Sequence, residues 1–255
     1  MTLPSDTFHP QSAPKRLLLH VCCGPCSTAP VRTLRQRGVE LCLHFANSNI
    51  APVAEYEHRL QTARSYAEGL GIPFVEGNYR PQAWADVVRD VPVEVRISTD
   101  GMTPPPERCR ACYRLRFTEA ARYAAGHGFS HVGTTLSVSP YQYRDIIHEE
   151  LERACAAANV EPFFEDYSPL YPETMTASKE AGLYRQDYCG CLPSKSEADA
   201  GRSARRAERE ARKVARAEVR KEAEAALDKR RAERASYDVK QARKRALKNA
   251  LRAKG

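Results

Sequence analysis

A short apolar run, Leu17-Leu18-Leu19-His20-Val21, ends abruptly in Cys22-Cys23-Gly24-Pro25-Cys26. A run of this length, preceded by Arg16 and stopped by Gly-Pro, suits a strand buried on both faces, the kind found in parallel sheets covered by helices. The sequence that follows keeps the matching rhythm. Helical spacing is expected over 27–37, 52–71, 84–88 as part of a further helix, 110–126, 143–158 and within 173–181. Strands are expected over 39–45, 73–76, 129–138 and 161–167, with a loop over 90–106. Strands alternating with helices of this length predict βαβ units: an α/β, Rossmann-like, mainly parallel sheet with helices on both faces. Ligands of such sheets sit at the carboxyl ends of the strands. The three cysteines follow the first strand directly, so they fall on that edge.

Charge divides the chain. The formal net charge is +8, yet residues 196–255 hold 20 Lys and Arg against 10 Asp and Glu, leaving residues 1–195 slightly acidic. The expected organisation is a disordered, proline-rich leader over 1–15, an α/β catalytic domain with a metal site over 16–195, and a basic helical extension over 196–255. Ala, Arg, Lys and Glu dominate the extension, and all favour helix. It is either a solvated helix held by i,i+4 ion pairs or an arm that contacts RNA phosphates. Residues 1–15 are polar and the run at 17–23 is too short for a signal core or a membrane span. The expected compartment is the cytoplasm, without membrane attachment.

In a reducing compartment nine cysteines read as metal-binding or catalytic groups rather than a disulfide framework. Seven of them form three clusters: Cys22, Cys23 and Cys26; Cys109 and Cys112; Cys189 and Cys191. Cys109-Arg-Ala-Cys112 has the spacing with which two thiolates hold one metal, and an adjoining helix N-terminus would favour thiolate charge. Cys23-Gly-Pro-Cys26 matches a thioredoxin-type dithiol, but Cys22 replaces the usual tryptophan and the other clusters would have no role. Seven thiols exceed one closed zinc site, and a [4Fe–4S] cluster needs four. Cys189-Gly-Cys191 either closes a small, strained and readily reduced disulfide ring or supplies further metal ligands. The residues alone give a metal site plus a redox pair. Cys42 and Cys155 stand alone within a strand and a helix and are expected in the core.

Several longer motifs then carry a resemblance. His20-Val21-Cys22-Cys23, Asn47-Ser48-Asn49-Ile50-Ala51-Pro52 with Glu55, Tyr56 and Arg59, and Glu107-Arg108-Cys109-Arg110-Ala111-Cys112-Tyr113 occur in that order. They are followed by Thr134-Thr135-Leu136, Ser139-Pro140-Tyr141 and Leu183-Tyr184-Arg185-Gln186-Asp187-Tyr188-Cys189-Gly190-Cys191. Over residues 16–195 the chain resembles the epoxyqueuosine reductases of the QueH type. The resemblance implies reduction of epoxyqueuosine to queuosine at the wobble position of tRNA, the last step of queuosine biosynthesis, with electrons from an unidentified donor. It implies a [4Fe–4S] cluster on Cys22, Cys23, Cys109 and Cys112, and a redox-active pair, Cys189 and Cys191. An adjacent single metal ion, iron or zinc, is associated with the family, and Cys26 is its candidate ligand here. Candidate proton donors are Asp166, Tyr141, Asp187 and Tyr188; candidate RNA-contacting groups are Arg59, Arg108, Arg110, Arg114 and Arg185. A zinc-stabilised RNA-binding module and a thiol–disulfide oxidoreductase are the competing readings. No Ser-Gly-Gly phosphate loop follows the first strand, so nucleotide-dependent thiolation has no support.

Overall fold

The computed structural model describes residues 13–91, 96–98, 101–103 and 106–252; the expected leader, up to residue 12, lies outside them. In chain order the first half runs β1 (Arg16–His20), α1 (Gly24–Gln36), β2 (Glu40–Phe45), α2 (Val53–Gly69), β3 (Phe74–Glu76), α3 (Pro81–Val88), β4 (Arg96–Ser98) and β5 (Gly101–Thr103). The second half runs α4 (Pro106–Gly126), β6 (His131–Thr134), α5 (Arg144–Ala158), β7 (Glu161–Phe163), α6 (Tyr171–Glu180) and α7 (Leu192–Arg252). Five strands form one parallel sheet in the order β3-β2-β1-β6-β7. The α/β class and parallel sheet read from the sequence are present.

β1 lies at the centre because its side chains are apolar toward both faces. Leu17, Leu19 and Val21 pack with Val31 and Leu34 of α1 and with Ala63 and Ala67 of α2. Leu18 faces the other way, into Phe117 and Ala121 of α4 and Ile147 and Leu151 of α5. The period of two thus builds two cores, one on each face. Each fully buried leucine contributes about 1.5–3 kcal/mol. His20 continues the α4-facing row, edge-on to Phe117 at 5.4 Å. Its ring nitrogens meet Thr134 Oγ1 at 3.0 Å and the Ala46 carbonyl at 3.3 Å. Burial, reinforced by Arg116 and His44, lowers its pKa well below the ordinary histidine value. A neutral His20 therefore ties β1 to β6 and to the loop after β2.

The chain leaves β1 toward β2 on one side and returns to β6 on the other. The carboxyl ends of β1 and β6 are thus the switch point at which such sheets bind ligands. Cys22 and Cys23 follow β1 there, and Thr135 follows β6, its amide donating to the His20 carbonyl at 3.0 Å.

Several boundaries differ from the sequence reading. α1 begins at Gly24 rather than at residue 27, because Pro25 fits a first helical turn, where a missing N–H costs nothing. α4 begins at Pro106, four residues earlier than expected, for the same reason. The strands expected over 129–138 and 161–167 shrink to His131–Thr134 and Glu161–Phe163, since β6 and β7 pair only over three positions and Pro162 removes a donor at the sheet edge. A two-stranded antiparallel pair, β4 with β5, occupies part of the stretch read as loop.

The chain divides into two units, residues 1–199 and 200–255. In the second, the described residues to Arg252 are helical and nearly all exposed.

Candidate metal and redox site

The sulfur atoms of Cys22, Cys23 and Cys26 lie within 4.8 Å of one another. The fold explains this closeness. Cys23 is the N-cap of α1, its thiol accepting the Cys26 amide at 3.4 Å, so Cys26 sits one turn above it. Cys22, at the bend before the cap, donates its S–H to Cys23 Sγ at 3.7 Å. Around a tetrahedral ion with metal–sulfur bonds of about 2.3 Å, neighbouring sulfurs stand about 3.7 Å apart. The Cys22–Cys23 distance is of that size, and all three sulfurs are close enough to serve the same or adjoining metals.

Electrostatics polarises the three thiols. Burial opposes ionisation of Cys23, but hydrogen bonds from Cys22, Cys26, the Cys26 amide and Gln186 outweigh it and hold this thiol well below its usual pKa. The hydrogen bond to Cys23 pushes Cys22 up to about 12. Hydrogen bonds to Cys22 and Cys23 push Cys26 well above the usual value. A thiolate that accepts from two neighbouring thiols is a donor set whose protons a bound metal displaces.

The second group gathers Cys109, Cys112, Cys189 and Cys191. Cys109 and Cys112 are the fourth and seventh residues of α4, so the expectation that a helix N-terminus charges them is not met. Burial instead pushes both thiols up, Cys189 adding to each. Cys112 and Cys191 pack together with Trp84. Burial and the neighbouring Cys189 raise Cys191 to about 12. All nine cysteines are free thiols; Cys189 is exposed and Cys191 buried. Cys22 packs against both apolar cores, and thereby against the one that contains Cys109. Cys42 and Cys155 belong to that core, as expected.

The Cys189-Gly190-Cys191 turn is held from below by Arg59. This side chain is 1% exposed. Its Nε donates to Glu55 Oε1 at 2.7 Å, Nη1 to the Cys189 carbonyl at 2.8 Å and Nη2 to the Tyr188 carbonyl at 3.1 Å. Tyr184 donates to the other Glu55 oxygen at 2.8 Å. Gly190 has φ +146°, and a Cβ there would stand 2.9 Å from Asn49 Nδ2 and 3.3 Å from Arg59 Nη1. Only glycine makes this turn without strain. Its carbonyl accepts the Ala51 amide at 2.9 Å, beside the cis Ala51–Pro52 bond, and Tyr188 donates to the Ala51 carbonyl at 2.7 Å. The Asn47–Pro52 motif is therefore a seat for the Cys189–Cys191 turn.

Two glutamine amides point at sulfur. Gln186 Nε2 lies 3.0 Å from Cys23 Sγ and 4.0 Å from Cys26 Sγ. Gln142 Nε2 lies 3.6 Å from Cys189 Sγ, while its Oε1 accepts from Tyr113 at 2.6 Å. Gln186 stands within the last of the quoted motifs and Gln142 within none, and an amide carries no mark in the sequence of the sulfur it will meet. Several polar candidates turn out to be engaged elsewhere. Arg59 and Arg108 are buried, the latter clamped by Glu197 at 2.7 and 2.8 Å. Arg110 and Arg114 bind the buried Glu150 carboxylate. Tyr188 donates to a carbonyl, and Asp166 pairs with Arg144 at 3.2 Å. Tyr141, Arg185 and Asp187 remain exposed.

Buried thiols gathered at the switch point of an open parallel sheet define a cysteine-rich α/β domain equipped for metal and thiol chemistry. The family described as epoxyqueuosine reductase QueH matches residues 17–197, and the chain belongs to that family. Curated relatives are named epoxyqueuosine reductase QueH. That of Haemophilus influenzae is 32% identical over 186 residues, covering 70% of this chain and 71% of its own. The Acinetobacter baylyi protein is 33% identical over 192 residues, 72% of this chain and 82% of its own. The Dehalococcoides mccartyi protein is 31% identical over 186 residues, 72% and 94% respectively. Residues 198–255 lie outside the family match.

Proposed function

We propose that this chain reduces the epoxide of epoxyqueuosine in tRNA to the cyclopentene of queuosine. The observation that carries the reading is the close Cys22–Cys23–Cys26 group just after the central strand, in a chain whose residues 17–197 match the QueH family. The donor chemistry fits the implied cofactors. Cys22, Cys23, Cys109 and Cys112 would hold a [4Fe–4S] cluster, and the close approach of Cys26 to Cys22 and Cys23 suits it to an adjacent single ion, iron or zinc. A bound cluster supplies electrons one at a time, and a bound ion supplies Lewis acidity at oxygen.

The chain's own residues would do the rest. Removing the epoxide oxygen as water consumes two electrons and two protons. Cys189 and Cys191, as two thiols, hold both, and end as a disulfide that an external donor must reduce. Cys189 is exposed, where a nucleotide can reach it, and Gln142 fixes its sulfur. Arg59 and Gly190 hold the turn that carries the two cysteines. Among the described residues no helix is long and apolar enough to cross a membrane. The reading places the protein in the cytoplasm, where thiols stay reduced.

Metal analysis tests the cofactor half of this reading. Protein purified without oxygen is expected to be brown and to contain about four iron and four sulfide per chain, beyond any single ion. Replacing Cys109 or Cys112 by Ser is expected to abolish the colour. Colourless protein that binds only zinc, even after reconstitution with iron and sulfide, contradicts it.

A further inference from the structure

The long helix α7 carries a one-sided array of charge. Its residues 202–220 include eight Lys and Arg and three Asp and Glu. Arg202, Arg206, Arg209, Lys213, Arg216 and Arg220 recur every three or four residues. With Arg205 and Arg212 they fall within about 120° of the circumference, at about 100° per residue. Glu208, Glu210 and Glu218 all fall on the remaining arc. The backbone is helical throughout this stretch and its side chains from 203 onward are exposed.

A solvated helix stabilised by its own charges would interleave acids and bases four residues apart. This face does so only in part. Arg205, Arg206, Arg209 and Arg216 have no ion pair among the described residues. The pairs Arg212–Glu208 and Lys213–Glu210, at 3.9 Å, and Arg220–Glu224, at 3.7 Å, are all exposed and near the limit of contact. Like charges at i,i+4 disfavour an isolated helix, so the stripe costs stability unless something anionic meets it. An amphipathic membrane helix would need an apolar face opposite the charge. Val214, Val219, Leu227, Tyr237 and Val239 are exposed but share no single face. A regular row of point charges without apolar anchors fits a phosphate backbone.

We propose that the Arg202–Arg220 face of α7 is a phosphate-binding arm for the RNA substrate, lying outside the family match and adding affinity without base readout. The choice of RNA rests on the functional reading above. The test compares two full-length variants that lose the same charge. One carries Arg205→Gln, Arg206→Gln, Arg209→Gln and Arg216→Gln, on the stripe. The other carries Lys221→Gln, Lys229→Gln, Lys240→Gln and Arg243→Gln, on the opposite arc. Glutamine keeps good helix propensity, which circular dichroism checks. The probe is a tRNA transcript without modified nucleosides, titrated at several salt concentrations.

The stripe variant is expected to bind at least about tenfold more weakly at 0.1 M salt, and the slope of log affinity against log salt to fall by about 3. The opposite variant is expected to lose less than about twofold, since its charges lie away from the contacting face. Equal losses would mean that net charge alone attracts RNA, and overturn the arm; no loss in either would also overturn it. Because the transcript carries no epoxide, binding is read independently of turnover. A chain that binds through the stripe yet leaves the epoxide intact contradicts the functional reading and not the arm.

Discussion

Replacing Glu197 by Gln is expected to cost about 3–5 kcal/mol of stability in the catalytic unit. Arg108 and Glu197 form a two-pronged ion pair whose side chains are 7% and 8% exposed. Arg108 Nε has no hydrogen-bond partner among the described residues, and Cys191 and Cys109 lie near enough to bias the guanidinium. Without the carboxylate, a buried cation is left unpaired beside the two thiols, and the cost is that of stranding the charge rather than of losing one hydrogen bond. The double change Arg108→Met with Glu197→Gln is expected to recover part of the loss, because the stranded charge goes with it. Urea unfolding followed by circular dichroism and by Trp84, the chain's one tryptophan, measures both. Trp84 packs on Cys112 and Cys191, so its emission reports the site itself. A cost below about 0.5 kcal/mol for Glu197→Gln would mean that the pair is solvent-screened like an ordinary surface bridge.

The second large effect concerns turnover. Cys189→Ser is expected to lower epoxide reduction by at least about a thousandfold, because serine cannot form the disulfide that stores the electron pair. Iron and sulfide content are expected to stay unchanged. That pairing of results separates the two roles open to Cys189. A redox partner loses turnover and keeps the metal; a metal ligand loses both. Loss of iron in Cys189→Ser would reassign Cys189 to the metal, and full activity would remove it from the reaction. The same assay on Cys191→Ser is expected to give the same pattern.

Much of this site was legible in the chain because its signals are local. The apolar run before Cys22, its Gly-Pro stop and the spacing of the following helices suffice to put three cysteines on the carboxyl edge of a central strand. Helix starts were less legible. Pro104-Pro105-Pro106 reads as loop, yet Pro106 opens α4, which draws Cys109 and Cys112 inside the helix and under burial rather than at its positive end. Arg59 and Arg108 illustrate a second limit. Arginines near a nucleic-acid site read as phosphate contacts, while Glu55 and Glu197, the groups that neutralise them in the interior, are recognisable only once the chain is folded. Gln142 and Gln186 are a third case. Their amides gain meaning from sulfurs 47 and 163 residues away in sequence.

One measurement bears on the central claim most directly. The protein, purified without oxygen and with its iron–sulfur content verified, is incubated with tRNA that carries epoxyqueuosine and a low-potential reductant, and the nucleosides are then analysed. The account predicts that epoxyqueuosine is replaced by queuosine one for one, and that Cys189→Ser with an intact cluster leaves the epoxide in place. Epoxyqueuosine unchanged by the fully loaded wild-type protein would contradict it.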